Sequence, residues 1–261
     1  MPVNSQNSYI GRHAELYDLF YAEKPYAEEV AFIHKCIQAY KPDAKNLLEL
    51  ACGTGTHSLL LEKYSYKIIA TDYSPAMLER AKAKANQANS SIDFRQQDML
   101  SLNVPERPFD VILCLFDSIG YVSTNENISK VLSDIRNHLS SDGIFIFEFW
   151  HAGAMLKSYD PVRVRRFPTA TGEVVRISET DIDYQEQLCH VAYSIYELNK
   201  KGSYNQLQET QTNRFFLLKE MESFLKNSGL IPLKWFSGFQ DNELINDETW
   251  HIVAVAKKRS G

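Results

Sequence analysis

The chain has 261 residues, of which 44% are hydrophobic, so it can bury a full core as one large domain or as one domain with an insert. Its formal net charge of -5 argues against a nucleic-acid partner, because nucleic-acid-binding surfaces usually show an excess of lysine and arginine. No apolar run approaches the roughly 20 residues that span a bilayer, so no membrane partner is predicted either.

The cysteines and histidines show no pattern that indicates a metal site. Cys36, Cys52, Cys114 and Cys189 are scattered without a Cys-x-x-Cys pair, and the seven histidines lack a His-Glu-x-x-His motif. Cys52 and Cys114 stand in apolar strand contexts, where we expect small buried hydrophobic residues. The first eleven residues are polar and do not resemble a signal peptide. The sequence therefore predicts a cytoplasmic, reduced protein without a bound metal.

The chain begins with helices and continues as alternating strands and helices. Apolar residues recur at helical spacing from about residue 14 to residue 40, and we interpret residues 1–40 as a helical lid. Near-continuous apolar strands separated by helices then predict a parallel sheet covered on both faces, in an α/β core of residues 41–151. The predicted strands are 46–50, 67–71, 92–96, 109–115 and 144–149.

The alternation stops after the fifth strand. Strand-like segments at 162–167, 173–183, 188–198 and 206–216, with turn chemistry at Thr171-Gly172 and Lys201-Gly202, predict an antiparallel β insert over residues 152–216. A last helix, 218–227, and two strands near 231–236 and 250–256 complete the core over residues 217–261. We expect these two strands to be antiparallel neighbours at the sheet edge. The insert is the candidate region for an acceptor and for a homodimer interface.

The segment from Leu47 to His57 reads as a buried strand, a turn with two glycines and a helix start. Such a turn directs backbone N–H groups and a positive helix dipole end at a ligand. Glu49 at the strand tip repels a pyrophosphate but accepts hydrogen bonds from an amino group, which favours an amino-acid-bearing nucleoside over a dinucleotide. The dinucleotide pattern also lacks its third glycine, since Ser58 stands there. An ordinary strand–turn–helix corner is the alternative.

Three motifs together resemble those of the class I S-adenosylmethionine-dependent methyltransferases. They are the glycine turn over residues 48–55, Asp72 after the second strand, and Gln97-Asp98-Met99 after the third. The resemblance implies a Rossmann-like seven-stranded sheet in the order 3-2-1-4-5-7-6, with strand 7 antiparallel, and S-adenosyl-L-methionine as cofactor.

A narrower resemblance is to the N-methyltransferases of nucleotide-linked 3-amino sugars. The residues that carry it are Tyr9, the run 14–19, Phe116-Asp117-Ser118-Ile119-Gly120, Glu148-Phe149-Trp150 and Glu209-Thr210. Two features depart from that group: Tyr121 stands where a histidine is common, and the loop 238–243 is acidic where the group carries a Gly/Arg-rich loop. The resemblance therefore leaves the acceptor open.

We expect the cofactor to be held by residues at the carboxyl ends of the strands. Glu49 and Gly53 are expected at its amino-acid end, Asp72 at the ribose and Asp98 at the adenine. Asp72 has an alternative role as an N-terminal helix charge, and Met77 as a core residue. The expected cofactor-binding residues are Tyr17, Glu49, Ala51, Gly53, Gly55, Asp72, Tyr73, Met77, Asp98, Met99 and Leu115.

The expected catalytic residues are Tyr9, Asp117 and Tyr121. Asp117 follows the fourth strand, where open α/β sheets bind ligands, and is expected to hold a cationic amine; helix capping is its alternative role. The expected acceptor-binding residues are Tyr26, Phe116, Trp150, Arg165 and Arg214. The two arginines fit an anionic acceptor or a solvated strand face.

The leading functional hypothesis is a methyltransferase that acts on a small molecule, with N-methylation of an amino sugar or a similar polar amine. The first alternative is a small-molecule O-methyltransferase, which needs a base for the hydroxyl. The second is a non-catalytic S-adenosylmethionine-binding protein whose insert mediates association.

Overall fold

The computed structural model of the protein describes residues 11–106 and 108–259. The α-helices in chain order are α1 Gly11–Phe20, α2 Tyr26–Tyr40, α3 Thr56–Leu61, α4 Pro75–Ala88, α5 Asn125–His138, α6 Ala152–Ser158 and α7 Leu218–Asn227. The strands are β1 Asn46–Leu50, β2 Lys67–Asp72, β3 Asp93–Gln96, β4 Phe109–Cys114, β5 Leu139–Trp150, β6 Val162–Thr169, β7 Gly172–Asp183, β8 Leu188–Asn199, β9 Tyr204–Arg214, β10 Leu230–Ser237 and β11 His251–Lys258.

The large sheet has the predicted order. Its strands run β3-β2-β1-β4-β5-β11-β10, which is the order 3-2-1-4-5-7-6 when β10 and β11 count as the sixth and seventh strands. β1 to β5 pair in parallel, and β11 pairs antiparallel with both β5 and β10. The prediction for the last two strands is confirmed as a pairing, with β10 at the edge and β11 between β5 and β10.

Alternation along β5 divides the core between the two faces of the sheet. Phe145, Phe147 and Phe149 are fully buried on the face that α5 and α7 cover, and their rings follow one another at centroid distances of 4.5 and 5.8 Å. Ile144 and Ile146 lie on the other face, which α2, α3 and α4 cover. Each fully buried side chain of this size contributes about 1.5–3 kcal/mol of hydrophobic free energy, so the layers hold the strand ends in a fixed arrangement.

Local signals set the helix starts beside those strand ends. The Ser74 hydroxyl accepts a hydrogen bond from the Met77 N–H at 3.3 Å and Pro75 takes the first position of α4, as predicted. Thr124 caps α5 in the same way, accepting from the Asn127 N–H at 3.2 Å. The short helix α6 was not predicted, because seven residues are too few to show a helical period.

The predicted insert is a separate antiparallel sheet in the order β6-β7-β8-β9. The predicted helical lid divides in two. Helix α2 packs into the core through Val30, Ile33 and Ile37, whereas α1 places Leu16 and Phe20 against the insert. Thus α1 lies between the core and the insert, and the domain limits stay a prediction.

The described residues also bear on the predicted environment of the chain. All four cysteines lie in the described part and are buried and unpaired, as predicted for Cys52 and Cys114.

Within the described ranges, no helix combines the length and the apolar character needed to cross a membrane. Edge strand β6 exposes Val162 and Val164. Association of two copies through the insert stays a prediction.

Candidate functional site

A cavity of about 320 Å³ lies at the carboxyl ends of β1, β2 and β4. A smaller one of about 30 Å³ adjoins it, and Tyr17, Ala51, Gly53 and Phe116 line both. The larger cavity also contains predicted cofactor residues Asp72, Tyr73, Met77, Asp98 and Met99, and the smaller one contains Glu49 and Leu115. The structure therefore brings together the residues that the sequence placed at separate strand ends.

Asp72 joins β2 to the glycine turn. Its Oδ2 atom accepts a hydrogen bond from the Gly53 N–H at 2.7 Å, and its Oδ1 atom accepts from the Ser74 N–H at 2.8 Å. Burial raises the pKa of the Asp72 carboxyl above its usual value. The Gly53 N–H, which we expected to hold a ligand carboxylate, is thus already donated to Asp72. Each carboxylate oxygen retains acceptor capacity for a ligand hydroxyl.

Glu49 lies in the smaller cavity with 1% of its surface exposed. It accepts a hydrogen bond from the Ser58 hydroxyl, and burial raises the pKa of its carboxyl. Tyr26 lies at this end as well, with its ring edge-on to His57 at 4.9 Å, because α2 packs beside α3. Tyr26 was expected at the acceptor, and the structure places it at the Glu49 end instead.

Asp98, like Asp72, accepts a hydrogen bond from the backbone and also lines the larger cavity. Its Oδ1 atom accepts from the Leu100 N–H at 2.8 Å and caps the 3-10 helix Met99–Ser101. Its Oδ2 atom has no hydrogen-bond partner among the described residues, and the side chain lines the larger cavity. One carboxylate oxygen is therefore available to a donor such as an exocyclic amine.

Gly55 and Arg214, both predicted site residues, line none of the cavities described for this protein. Gly55 has φ +74°, and a Cβ atom there would lie 2.8 Å from the Phe94 ring, so the glycine is required for packing α3 against β3. Arg214 is 5% exposed, donates to Glu220 Oε1 at 2.7 Å and to the Ser123 carbonyl at 3.3 Å, and so fastens β9 to α7. Its charge is used within the protein rather than presented to an acceptor.

Helix α1 closes over the larger cavity through Ala14 and Tyr17, which pack on Met77. A hydrogen-bonded latch fixes it there. Lys84 Nζ donates to Asp18 Oδ1 at 3.0 Å, to Thr54 Oγ1 at 2.8 Å and to Thr56 Oγ1 at 2.9 Å. A single ammonium thus ties α1 and α4 to the glycine turn. Tyr9, an expected catalytic residue, lies outside the described residues.

Replacing Lys84 by methionine is expected to weaken S-adenosylmethionine binding about tenfold, because hydrogen bonds to a charged group each contribute about 1.5–3 kcal/mol and part of that holds α1 closed. Calorimetric titration measures the change. Lys82→Met is the matched control, since Lys82 is exposed on the same helix. Equal affinities for the two variants would contradict a latch.

Beyond these two adjoining spaces lies a separate cavity of about 440 Å³, the second cavity, between the carboxyl edge of the large sheet and the insert. Asp117, Trp150 and Arg165, all predicted from the sequence, line it. Phe116 and Tyr121 line this cavity and the 320 Å³ cavity. The two spaces therefore share a wall made of two aromatic side chains, the geometry that a transfer between two bound molecules requires.

Three ionisable groups meet at this second cavity. His251 Nδ1 lies 2.9 Å from Asp117 Oδ2 and 3.0 Å from Glu148 Oε1, and the Phe116 N–H donates to Glu148 Oε2 at 2.7 Å. Asp117 does not cap the following 3-10 helix with its side chain. Its Oδ1 atom is buried and forms no hydrogen bond of good geometry with the described residues, although the Trp150 side chain lies close enough to lower the pKa of the Asp117 carboxyl. Hence one oxygen of a buried carboxylate remains for a ligand.

Asp117, Glu148 and His251 change one another's pKa values. Burial raises the pKa of Asp117 to about 6, although His251 opposes the shift. Burial disfavours the imidazolium, but the two carboxylates outweigh it and raise the pKa of His251 to about 11. The neighbouring His251, the charge of Lys24 and the Phe116 N–H together overcome burial and lower the pKa of Glu148. At neutral pH the imidazolium compensates one of the two carboxylates of this cluster, and the charge of Lys24 also acts on Glu148.

The backbone beneath the cluster is strained. Phe116 and Asp117 have φ values of 54° and 56°, in the left-handed region that non-glycine residues rarely adopt. Each such residue costs about 1–3 kcal/mol and persists where surrounding contacts require it. The two consecutive residues turn Phe116 toward the shared wall and Asp117 toward His251.

Sequence reasoning missed His251 and the role of Glu148. One side-chain oxygen or nitrogen atom from each of Asp117, Glu148 and His251 lies within 4.8 Å of the other two, although the residues come from the loop after β4, from β5 and from β11, respectively. No metal-type spacing in the sequence reports such a group, so the expectation of no metal rested on motifs alone. The available signal was topology: a strand antiparallel to β5 begins at the carboxyl edge, which places its first residue, His251, opposite Trp150.

Comparison with known proteins agrees with this geometry. Residues 47–143 match a family described as Methyltransferase domain. Putative methyltransferase YqeM of Bacillus subtilis (strain 168) is 27% identical over 237 residues, 88% of this chain and 90% of that protein. The dTDP-3-amino-3,4,6-trideoxy-alpha-D-glucopyranose N,N-dimethyltransferase of Streptomyces venezuelae is 32% identical over 140 residues, 53% of this chain and 57% of that protein.

A solved S-adenosylmethionine-dependent methyltransferase from Clostridium acetobutylicum has the same fold, with a TM-score of 0.83, 24% identity, and coverage of 95% of this chain and 98% of that one. Residues 47–143 therefore form a methyltransferase domain, and the chain as a whole has the fold of the S-adenosylmethionine-dependent methyltransferases. The predictions of fold, enzyme class and cofactor are confirmed. The roles of individual residues stay predictions.

Proposed function

We propose that the protein N-methylates a small polar amine, an amino sugar or a similar molecule. The observation that carries the proposal is the shared wall of Phe116 and Tyr121, which separates a cavity built for the donor from one that presents a buried carboxylate. A buried carboxylate on this wall of the cavity favours a cationic amine over a neutral hydroxyl.

The donor cavity fits S-adenosylmethionine in the chemistry of its groups. Glu49 supplies an acceptor for the methionine amino group, Asp72 supplies acceptors for the ribose hydroxyls, and the uncommitted oxygen of Asp98 suits the adenine amine. When bound, S-adenosylmethionine supplies a methyl group on a cationic sulfur. The side chain of Tyr17 lines this cavity, an aromatic ring of the kind that attracts such a cation, and α1 covers the cavity.

On the acceptor side, Asp117 holds the amine. The amine arrives as an ammonium, which the Oδ1 atom of Asp117 attracts, and it must give up a proton before its lone pair attacks. Asp117 is the nearest acceptor for that proton, while Glu148 and His251 keep its carboxylate in place. Tyr121 and Trp150 form cavity walls that orient the acceptor. The named activity of the Streptomyces venezuelae relative, an amino-sugar N,N-dimethyltransferase, supports this acceptor class.

The test is transfer of label from S-adenosylmethionine carrying a radioactive methyl group to three sets of acceptors: amino sugars, simple polar amines and phenols. We expect label in amino sugars or polar amines, with the product methylated at nitrogen. Label confined to phenols or sugar hydroxyls would establish the O-methyltransferase alternative. Calorimetric binding of the donor with no label in any acceptor set would favour the non-catalytic binding protein.

The pH profile provides an independent check on His251. Because Asp117 must be ionised to hold the amine, kcat/KM is expected to fall as pH drops below about 6. Replacing His251 by glutamine removes the positive charge that favours the Asp117 carboxylate and leaves Glu148 repelling it, so the acidic limb is expected to move up by at least about one pH unit. His190→Gln, in the insert, is the control. An acidic limb that stays in place in His251→Gln would exclude the proposed positioning role.

A further inference from the structure

The insert side of the second cavity holds a buried guanidinium that forms no ion pair with a carboxylate among the described residues. Arg176 on β7 is 7% exposed and lies among aromatic rings, 4.7 Å from the Phe20 centroid, 5.4 Å from Tyr193 and 5.6 Å from Phe167. Its Nε atom is buried without a hydrogen-bond partner, and no carboxylate pairs with it among the described residues. A buried charge without a partner is costly, so a ligand is the group that would compensate it.

The register of the insert adds a second arginine at the same place. Arg165 on β6 stands directly opposite Arg176, and like charges in directly opposed positions repel each other. Arg165 approaches a carboxylate only at 3.7 Å, from the exposed Glu23. Both side chains line the cavity, as does Arg163, which pairs with Asp160. The strands thus gather positive charge on one wall, while Asp117 stands on another wall with Glu148 buried beside it.

We infer that this wall is an oxyanion subsite centred on Arg176, with Arg165 beside it. The acceptor then carries a carboxylate or phosphate group in addition to its amine, with the amine at Asp117 and the oxyanion at Arg176. The planar guanidinium donates two parallel hydrogen bonds to either oxyanion, and the surrounding rings keep its plane fixed. This inference rests on the proposed function for the amine end, and the arginine wall carries the oxyanion end independently.

The first experiment measures binding of the oxyanion alone. Inorganic phosphate and acetate are titrated into the full-length protein, and the Tm is followed. Both anions are expected to raise the Tm of the wild type and of Arg166→Gln, because Arg166 is exposed and paired with Glu173 instead of facing the cavity. Neither is expected to raise the Tm of Arg176→Gln. A wild type that neither anion stabilises, or an equal rise in Arg176→Gln, would overturn the subsite.

A second variant guards against misfolding of Arg176→Gln. Arg176→Lys keeps the positive charge but loses the planar guanidinium with its paired N–H donors. It is therefore expected to bind phosphate more weakly than the wild type and more tightly than Arg176→Gln. If Arg176→Gln does not fold, the comparison of Arg176→Lys with the wild type decides: unchanged phosphate binding would contradict the subsite. A weaker interaction would support it.

The last measurement links the subsite to catalysis and separates the two oxyanion sources. A neutral amino sugar, its phosphate ester and the corresponding amino uronic acid are compared as acceptors. The wild type is expected to favour at least one charged acceptor by about 10- to 100-fold in kcat/KM, and Arg176→Gln is expected to lose that preference. Equal rates for all three in the wild type would overturn the inference. Arg176-dependent phosphate binding without methylation of any amine would overturn only the proposed function.

Discussion

Replacing Asp117 by asparagine is expected to lower kcat/KM for the amine acceptor by about 10²- to 10³-fold and to leave S-adenosylmethionine binding nearly unchanged. The reason is the location of the carboxylate. Asp117 lines the acceptor cavity, its Oδ1 atom forms no hydrogen bond of good geometry with the described residues, and neither donor cavity includes it. Asparagine keeps the size of the side chain and removes the charge that attracts the ammonium.

The substitution is also expected to leave the protein folded. His251 keeps Glu148 as a partner at 3.0 Å, and one of two neighbouring buried carboxylates is removed. Steady-state kinetics with each substrate varied, together with donor calorimetry, separate the two effects. Asp181→Asn is the matched control, because Asp181 is exposed on the insert. A loss of donor affinity as large as the loss in acceptor kcat/KM would refute the role proposed for Asp117.

The second large effect is on stability. Replacing Gly55 by alanine is expected to cost about 2–4 kcal/mol of unfolding free energy, as the sum of left-handed backbone strain and overpacking. Its φ is +74°, and the added Cβ would meet two atoms of the Phe94 ring at 2.8 Å and the Ala81 Cβ at 3.1 Å. Relief of the contact requires α4 or β3 to move away from the glycine turn.

A matched glycine isolates the packing contribution. Gly202, in the turn between β8 and β9, has φ +85° and no described atom within 4 Å of an added Cβ. Gly202→Ala therefore carries backbone strain alone and is expected to cost about 1 kcal/mol. Denaturant unfolding of the two variants against the wild type measures the difference. Equal costs would show that the contact with Phe94 relaxes freely and that Gly55 is needed only for its backbone conformation.

Most helices and strands could be predicted from the sequence because the signals that specify them are local. Apolar strands, the Ser74-Pro75 helix start and the turn residues of the insert each act within a few positions. The resemblance to known methyltransferases supplied the strand order, which periodicity does not encode. Helix α6 was not predicted because it has only seven residues, too few to show a helical pattern, and depends on the tertiary structure.

Several residues that line the 320 Å³ cavity were predicted from the strand ends, whereas in the second cavity Asp117, Trp150 and Arg165 were predicted and His251 was missed. Asp72 and Asp98 follow successive parallel strands, and such strands end at one edge, so chain order alone brings these carboxylates together. The sequence did not reveal that Asp72 already accepts from the Gly53 N–H.

By itself, the sequence determined a sheet, its covering helices, a β insert and the composition of a donor-binding edge, because each depends on short-range periodicity and on residues at strand ends. Only the tertiary structure decided which charges face each other. His251 reaches Asp117 and Glu148 because β11 runs back beside β5, and Arg176 meets Arg165 because β6 and β7 pair in one register. The tertiary structure also pairs Arg214 with Glu220, so that its charge does not face an acceptor. Such pairings depend on contacts between distant segments, and burial then sets their electrostatic strength.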